Sequence, residues 1–481
     1  MKKQKLYKLL NNVDIIQLKG NEQIDIMSIC SDSRKTECGS LFIAQKGLEY
    51  DGHNYINSAI ETGAVAIILE QMPETLCDNI TYVQVNSSSD ALVEIAKNFY
   101  EDPTSRLKLI GITGTNGKTT TVTLSYNLFS DLGYKCGLIS TIVNKIADKE
   151  IPTDHTTPDI ITLNELLFRM AEKKCEYVFM EVSSHAIVQN RIGGLKYYGA
   201  IFSNITHDHL DYHKTFENYI KAKKTFFDNL DKTAFALTNV DDKNGLKMLE
   251  ASKAQKYTYS LTKEADFKAK IIEKSFEGML LKINGKEVYS QLTGRFNAYN
   301  VLCVYSIAYL CGLNQDNILL GISKLKAAEG RFEAMKLKNE ATAIVDYAHT
   351  PDALENVIST INDIRPNGHL IIVVGCGGNR DKSKRPEMAH IAQKGSDILI
   401  LTSDNPRNED PDIIIEEMKQ GITENEGLFC ISNRKEAIKL AAQLSRGKQD
   451  VILIAGKGHE TYQEIKGVKH HFDDKEEISK Y

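Results

Sequence analysis

The sequence predicts an α/β protein of three domains. These are a small N-terminal α/β domain over residues 1–103, a central doubly wound phosphate-binding domain with a small appended β-sheet over 104–330, and a C-terminal Rossmann-like domain over 331–481. Three observations carry this expectation. A chain of 481 residues suits about three domains of the usual ~150 residues. Apolar runs of strand length alternate with amphipathic stretches along most of it. Residues 109–121, LIGITGTNGKTTT, place a strand, a glycine-rich turn and a helix start in the order that a phosphate loop requires.

The bulk numbers exclude several classes. Hydrophobic residues are 42%, charged residues 26%, and the formal net charge is −5, so nothing draws the chain to nucleic acid or to an acidic membrane. Nine cysteines lie scattered from Cys30 to Cys430 without CxxC pairing, which suggests reduced thiols and neither a disulfide framework nor a zinc site. The basic start MKKQKLYKLL leads to no signal core and no spanning run, so no membrane insertion and a cytoplasmic location are expected.

The first hundred residues carry apolar runs at Leu41–Ala44 and Ala64–Leu69, then a helix-like stretch at 91–100. Polar loops interrupt them at Ser31 to Arg34 and at 46–56; on pattern alone these are connections.

The phosphate loop follows. Gly111, Gly114 and Gly117 let the backbone curl around an anion, and the amides opening the next helix point at it. Gly114, Thr115, Asn116, Gly117, Lys118, Thr119 and Thr120 form the expected cradle. Lys118 would neutralise phosphate charge, and the hydroxyl of Thr119 or Thr120 would hold Mg²⁺. Ile112 stands where GxxxxGK[ST] has its first glycine, so the loop is a variant.

Polar clusters then fall at strand ends, where open α/β sheets bind ligands. Glu181 follows YVFM and is the natural carboxylate for a loop-bound Mg²⁺. Ser183 and His185 lack the GxSxG elbow of a serine hydrolase. The cluster His207, Asp208, His209, Asp211, His213 suggests a metal; zinc has no HExxH or cysteine companion here, and Mg²⁺ shared with Glu181 is the more economical reading. Lys221, Lys223 and Lys224 sit on an amphipathic helix and, by spacing, read as a solvated basic face. Residues 255–292 turn β-rich around an Asn284-Gly285 hairpin signal, and 294–310 return to helix with Asn297 and Asn300 in its first turns.

The last 150 residues hold four buried-strand patterns, TAIVDY, HLIIVVG, DILILTS and DVILIAG. After the second, GCGGNRDKSKRP has Arg380 where a dinucleotide loop needs its last glycine, and gathers Arg380, Lys382, Lys384 and Arg385 as a site for an anion. After the third, Asp404, Asn405, Pro406 and Arg407 form a Pro-fixed turn presenting a guanidinium, the group that matches a carboxylate fork. After the fourth come Gly456, Lys457, Gly458, His459 and Glu460. Two basic arms and a carboxylate at one crevice suit a zwitterionic amino acid.

Strings along nearly the whole chain resemble the Mur ligases: DSR with KGLEYDG, GTNGKTT, HTTPD, EVSSHAIVQNR, NITHDHLDYH, YIKAK, GRFNAYN, EGRFE, DYAHTPDAL, CGGNRDKSKRP, DNPR and GKGHE. The resemblance implies a monomeric ligase of peptidoglycan precursor synthesis that uses ATP and Mg²⁺ to join meso-diaminopimelate to UDP-N-acetylmuramoyl-L-Ala-D-Glu through an acyl phosphate. It matches Ser31, Ser33 and the 48–50 loop to the uridine diphosphate part of the substrate. Thr156, Thr157, Ser183, Gln189 and Arg191 match the residues that hold its muramoyl-peptide part. Lys223 matches a lysine that family members carbamylate, which would join Glu181 and His209 around a second Mg²⁺. Asn297, Arg331, Asp346 and His349 match nucleotide-side residues. Arg407 gives DNPR its diaminopimelate-recognition form, with Arg380, Gly456 and Glu460 as companions, whereas lysine-adding relatives lack this arginine. His155 departs from the Asn that many members carry. Folylpolyglutamate synthases share the phosphate loop, and a nucleotide-binding switch protein without ligase activity is the alternative from another class.

Overall fold

The computed structural model describes residues 3–47, 51–153, 155–365, 367–424 and 426–481, with the Asp211 side chain left out. The chain divides into two compact units. One is Met1–Gly111 with Tyr134–Ala200 and Asn229–Ala234; the other is Ile112–Gly133 with Ile201–Asp228 and Phe235–Tyr481. Two strands, Lys108–Thr113 and Gly199–Phe202, run through the boundary.

In the first unit, a five-stranded sheet runs Ile15–Lys19, Thr81–Val85, Ala64–Leu69, Ser40–Ile43, Ser28–Cys30. The first pair is antiparallel and the rest are parallel. Its central strands are buried at nearly every position, as parallel strands covered on both faces must be. The helix Ser88–Phe99 starts where Ser87 accepts the Asp90 N–H, and it lays Ala91, Leu92, Ile95 and Ala96 on Leu41, Ile43, Ala66 and Ile68. Farther on, Cys136–Ile139 pairs in parallel with Tyr177–Glu181 and in antiparallel with the hairpin strand Asn144–Ile146.

The second unit holds the strands Phe235–Asn239, Gln255–Ser260 and Phe267–Ser275 in parallel, continued antiparallel by Gly278–Ile283 and Lys286–Ser290. Asn284 and Gly285, at φ 44° and 88°, make the tight turn between the last two. Asp241 locks the strand ends together by accepting from Ser260 Oγ at 2.8 Å, Leu261 N at 2.8 Å and Tyr299 OH at 2.8 Å, and from the Thr262 hydroxyl. Burial alone would raise its pKa, but the hydroxyls of Thr262, Ser260 and Tyr299 and the Leu261 N–H outweigh it and bring it down to about 2. Because the folded pKa is depressed, the contribution is complete above the unfolded value near 3.8 and fades as pH falls towards 2. Asp241→Ala is expected to cost about 2 kcal/mol at pH 7, and urea melts of variant and wild type should converge between pH 4 and pH 2.

The same unit carries a six-stranded sheet in the order Glu333–Lys336, Thr342–Asp346, Val451–Ala455, Leu370–Val374, Ile398–Thr402, Leu428–Ile431. Only the first pair is antiparallel. Helices Pro351–Ile364, Lys384–Gly395 and Pro411–Lys419 cover one face, and Arg434–Leu444 with Asp474–Ile478 the other, giving two separate apolar cores. Among the described residues no helix is long and apolar enough to cross a membrane, and all nine cysteines are free thiols.

Candidate active site

The phosphate loop is held open by partners far along the chain. Thr115 N donates to Asn204 O at 2.9 Å, Asn116 N to Asn204 Oδ1 at 2.9 Å, and Ser203 Oγ to Asn116 O at 2.7 Å. The Asn116 side chain donates to Asp352 Oδ2 at 2.6 Å. Gly117, at φ 85°, is the N-cap of helix Lys118–Asp131 and offers its first amides no side-chain cap, an arrangement that suits an anion. A Cβ on Gly114 would lie 1.9 Å from Ser203 Oγ, and one on Gly117 would lie 2.6 Å from Asn300 Oδ1. Gly114→Ala is therefore expected to destabilise the chain by about 1–3 kcal/mol and to abolish tripolyphosphate binding, read by thermal melting with and without that anion.

Two lysines converge on this loop. Lys118 Nζ donates to the carbonyls of Gly114 and Thr115, each at 2.8 Å, and Lys223 Nζ donates to Gly114 O at 2.8 Å. The solvated basic face read from the sequence is corrected here. In helix Phe216–Asp228 the buried stripe Tyr219, Ala222, Phe226, Phe227 includes Lys223, which is 1% exposed, while Lys221 stays in water. Its amine lies 4.7 Å from the Tyr219 ring and rests on uncharged oxygens. Burial, reinforced by the Lys118 charge, pulls its pKa well below the ordinary lysine value.

Among the described side chains, the 207–213 segment does not gather as a metal cage. His213 is buried against the Tyr219 ring, 5.0 Å between centroids, His207 is exposed, and the Asp211 side chain lies outside the described residues. His209 has φ 55° and faces Asp208, with Nε2 and Oδ2 3.4 Å apart. Burial would raise the Asp208 pKa, but His209, His349 and Lys384 outweigh it and hold the carboxylate ionised. Among the described residues no group of three His, Cys, Asp or Glu side chains comes together to hold a metal.

Nearby in the same unit, Arg331 lies over the Tyr347 ring at 4.5 Å and reaches Thr119 Oγ1 at 3.4 Å. The Asp346 carboxylate accepts from Phe332 N at 2.6 Å and Ala348 N at 2.8 Å. His349 packs its ring 4.6 Å from Tyr347. Asn297 donates to Thr293 O at 2.9 Å and accepts from Asn300 at 3.0 Å. It lines a cavity of about 480 Å³ with Phe276, Thr293, Glu329, Phe332 and Lys475. Phe276 and Lys475 had no signal in the sequence, since an isolated aromatic and a lysine near the chain end look like ordinary surface.

In the first unit, Thr156, Thr157, Ser183, Gln189 and Arg191 form one network around Glu181, which is 0% exposed. Its Oε1 accepts from Thr141 N at 2.8 Å and its carbonyl from Thr157 Oγ1 at 2.8 Å, while Oε2 has no hydrogen-bond partner among the described residues. Thr157 Oγ1 accepts from Ser183 N at 3.1 Å, and Arg191 donates to Thr157 O at 3.0 Å and Gln189 Oε1 at 2.8 Å. Thr156 accepts from Thr141 Oγ1 at 3.0 Å. A buried carboxylate oxygen without a donor suits a hard cation. Ser33 is buried beside the Asp32–Arg34 pair and Ser31 is exposed; the 48–50 loop lies outside the described residues.

At the carboxyl ends of the C-terminal sheet, Asp404, Asn405 and Pro406 are buried and Arg407 adopts φ 50°. The Arg407 guanidinium donates to Gly378 O at 2.8 Å and lies 3.4 Å from Glu464. Asn405 donates to Glu460 Oε2 at 2.7 Å, and buried Lys457 reaches both residues at 3.2 Å. Burial and the neighbouring Asp404 raise the Glu460 pKa against the pull of Lys457. The expected four-residue anion site is only partly realised. Arg385 is completely buried between Glu409 and Glu417, and Lys382 pairs with both, so these two charges are spent internally; Arg380 remains exposed.

Three family models match the chain: Mur ligase family, catalytic domain, over residues 25–100; Mur ligase middle domain over 112–308; and Mur ligase, glutamate ligase domain, over 330–458. The chain is 56% identical to a UDP-N-acetylmuramoyl-L-alanyl-D-glutamate--2,6-diaminopimelate ligase of Phocaeicola vulgatus, with 98% of each chain covered. It is 55% identical to the protein of that name in Bacteroides thetaiotaomicron, again with 98% of each covered. A solved structure of a ligase with this name superposes with a TM-score of 0.71 at 33% identity, covering 99% of this chain and 98% of the other.

Proposed function

The chain belongs to the Mur ligase family, and from that premise we propose that it joins meso-diaminopimelate to the D-Glu side-chain carboxylate of UDP-N-acetylmuramoyl-L-Ala-D-Glu at the expense of ATP. The observation that carries this reading is the pairing, within one unit, of a phosphate loop backed by Lys118 and buried Lys223 with the anchored Asp404–Arg407 turn. We assign residues 1–103 to the uridine diphosphate part of the substrate, 104–330 to ATP and 331–481 to the amino acid, in a cytoplasmic monomer.

A carboxylate is a poor electrophile, which is the chemical reason for ATP. The D-Glu carboxylate attacks the γ-phosphoryl group to give an acyl phosphate and ADP. The amine of diaminopimelate then attacks the acyl carbon, and the tetrahedral intermediate collapses to amide and phosphate. Gly114–Thr120 hold the phosphates, with Lys118 set against the charge that builds up in transfer. The cavity lined by Asn297, Phe276 and Phe332 takes the base, with Arg331, Asp346 and His349 on the phosphate side. Thr119, Glu181, His209 and a carbamylated Lys223 are the residues we assign to Mg²⁺, which supplies charge neutralisation. Thr156, Thr157, Ser183, Gln189 and Arg191 orient the peptidyl carboxylate, with Ser31 and Ser33 on its nucleotide. Arg407 and Arg380 meet the far carboxylate of the diamino acid, and Asp404, Asn405, Gly456 and Glu460 its ammonium.

The test is phosphate release from purified protein with ATP, Mg²⁺ and UDP-N-acetylmuramoyl-L-Ala-D-Glu, with meso-diaminopimelate or with L-lysine. Stimulation by diaminopimelate alone is expected. Stimulation by lysine alone would remove the role given to Arg407, and silence with both, but turnover with a folate substrate, would replace the reading altogether.

A further inference from the structure

Arg434 opens the helix Arg434–Leu444, where its charge sits at the positive end of the helix dipole, and its side chain is wholly removed from water. A buried guanidinium there is costly unless its N–H groups are matched. Nε and Nη2 form a fork onto Asp474, both bonds 2.7 Å. Nη2 also donates to Ala455 O at 3.1 Å, and Nη1 to Ser403 O at 3.4 Å. These two carbonyls are placed tellingly. Ala455 ends the strand that delivers Gly456, and Ser403 immediately precedes Asp404.

The two strands are not neighbours, because Leu370–Val374 lies between them. One side chain therefore spans a strand end and pins the backbone of both turns. Their spacing is tight, since a Cβ on Gly456 would come within 2.6 Å of Asp404 Oδ2. The arginine is also tied to the turns electrostatically: burial opposes its charge, whereas Asp474, Asp404 and Glu460 favour it.

We propose that Arg434, clamped by Asp474, is a positioning residue for the amino-acid substrate, setting the separation between the 404–407 and 456–460 turns. The inference rests on the function proposed above. Arg434→Lys keeps the charge and loses the fork. The double variant Arg434→Met with Asp474→Leu removes the ion pair without leaving either partner unmatched in the interior, so the chain can fold while both carbonyls lose their donor.

Steady-state KM values for all three substrates, measured on the full chain, decide the matter. In both variants the KM for meso-diaminopimelate is expected to rise about tenfold or more, as for a displaced binding group, while those for ATP and UDP-N-acetylmuramoyl-L-Ala-D-Glu stay within about threefold. An unchanged diaminopimelate KM in both variants, or an equal rise in all three constants, would overturn the proposal. Wild-type protein without diaminopimelate-dependent phosphate release would instead overturn the function on which it rests.

Discussion

Lys118→Ala is expected to lower kcat/KM for ligation by about 10³-fold while leaving the chain folded. The lysine opens the helix Lys118–Asp131 and holds its amine against the carbonyls of Gly114 and Thr115. From there it provides a fixed positive charge beside the amides we propose for the phosphates, and charge stabilisation of this kind supplies most of the rate in phosphoryl transfer. The lost contacts are two hydrogen bonds, and Gly114 O keeps Lys223 Nζ as a donor at 2.8 Å, so the stability change should stay at about 1–2 kcal/mol. Circular dichroism and a coupled phosphate assay separate the two effects. Near-normal turnover in the variant would rule out the loop as the site of transfer.

Lys223→Ala is expected to cost about 10²-fold or more in kcat, with Lys221→Ala near wild type as the contrast on the same helix. The buried amine rests on the Gly114 carbonyl and the Thr113 hydroxyl, and burial together with Lys118 disfavours its protonated form. A neutral amine is the form that adds CO₂, giving an anionic carbamate and releasing a proton. Activity of the wild-type enzyme should therefore fall when bicarbonate is stripped at mildly acidic pH, and return when it is added back. An enzyme indifferent to bicarbonate, with Lys223→Ala fully active, would remove the lysine from the mechanism.

Much of the architecture was legible because it rests on local signals. The runs at Leu41–Ala44 and Ala64–Leu69 lie on buried strands, Asn284-Gly285 adopts the positive φ pair that a two-residue hairpin requires, and the four apolar runs of the C-terminal half are four parallel strands. Elements without a buried alternation were invisible. The edge strands Glu333–Lys336 and Leu428–Ile431, and the hairpin Tyr462–Ile465 with Val468–His471, are half or fully exposed and read as polar loop.

The site divides in the same way. Glu181, read as a strand-end carboxylate, does close its strand, and Asp346, matched by resemblance alone, closes another. Which charges are spent within the fold was not legible. Lys223 and Arg385 carry the same letters as solvated cations, and only the partners brought by distant segments make one a buried amine and the other an internal ion-pair centre. A better reading of the 216–228 helix was available from Tyr219, Ala222 and Phe226, whose spacing already places Lys223 beside the apolar stripe.

The phosphate loop's supports come from late in the chain: Asn204 lies 88 residues beyond Asn116, Lys223 lies 109 beyond Gly114, and Asp352 lies 236 beyond Asn116. During synthesis the loop leaves the ribosome long before anything that shapes it, and closing such long separations is slow. Nucleotide competence should thus appear only after the C-terminal half has been translated. Excised with its own helix alone, the GTNGKTT segment would be a flexible turn, so the motif is no transplantable cassette and nascent chains halted before Asp352 are natural clients for chaperones.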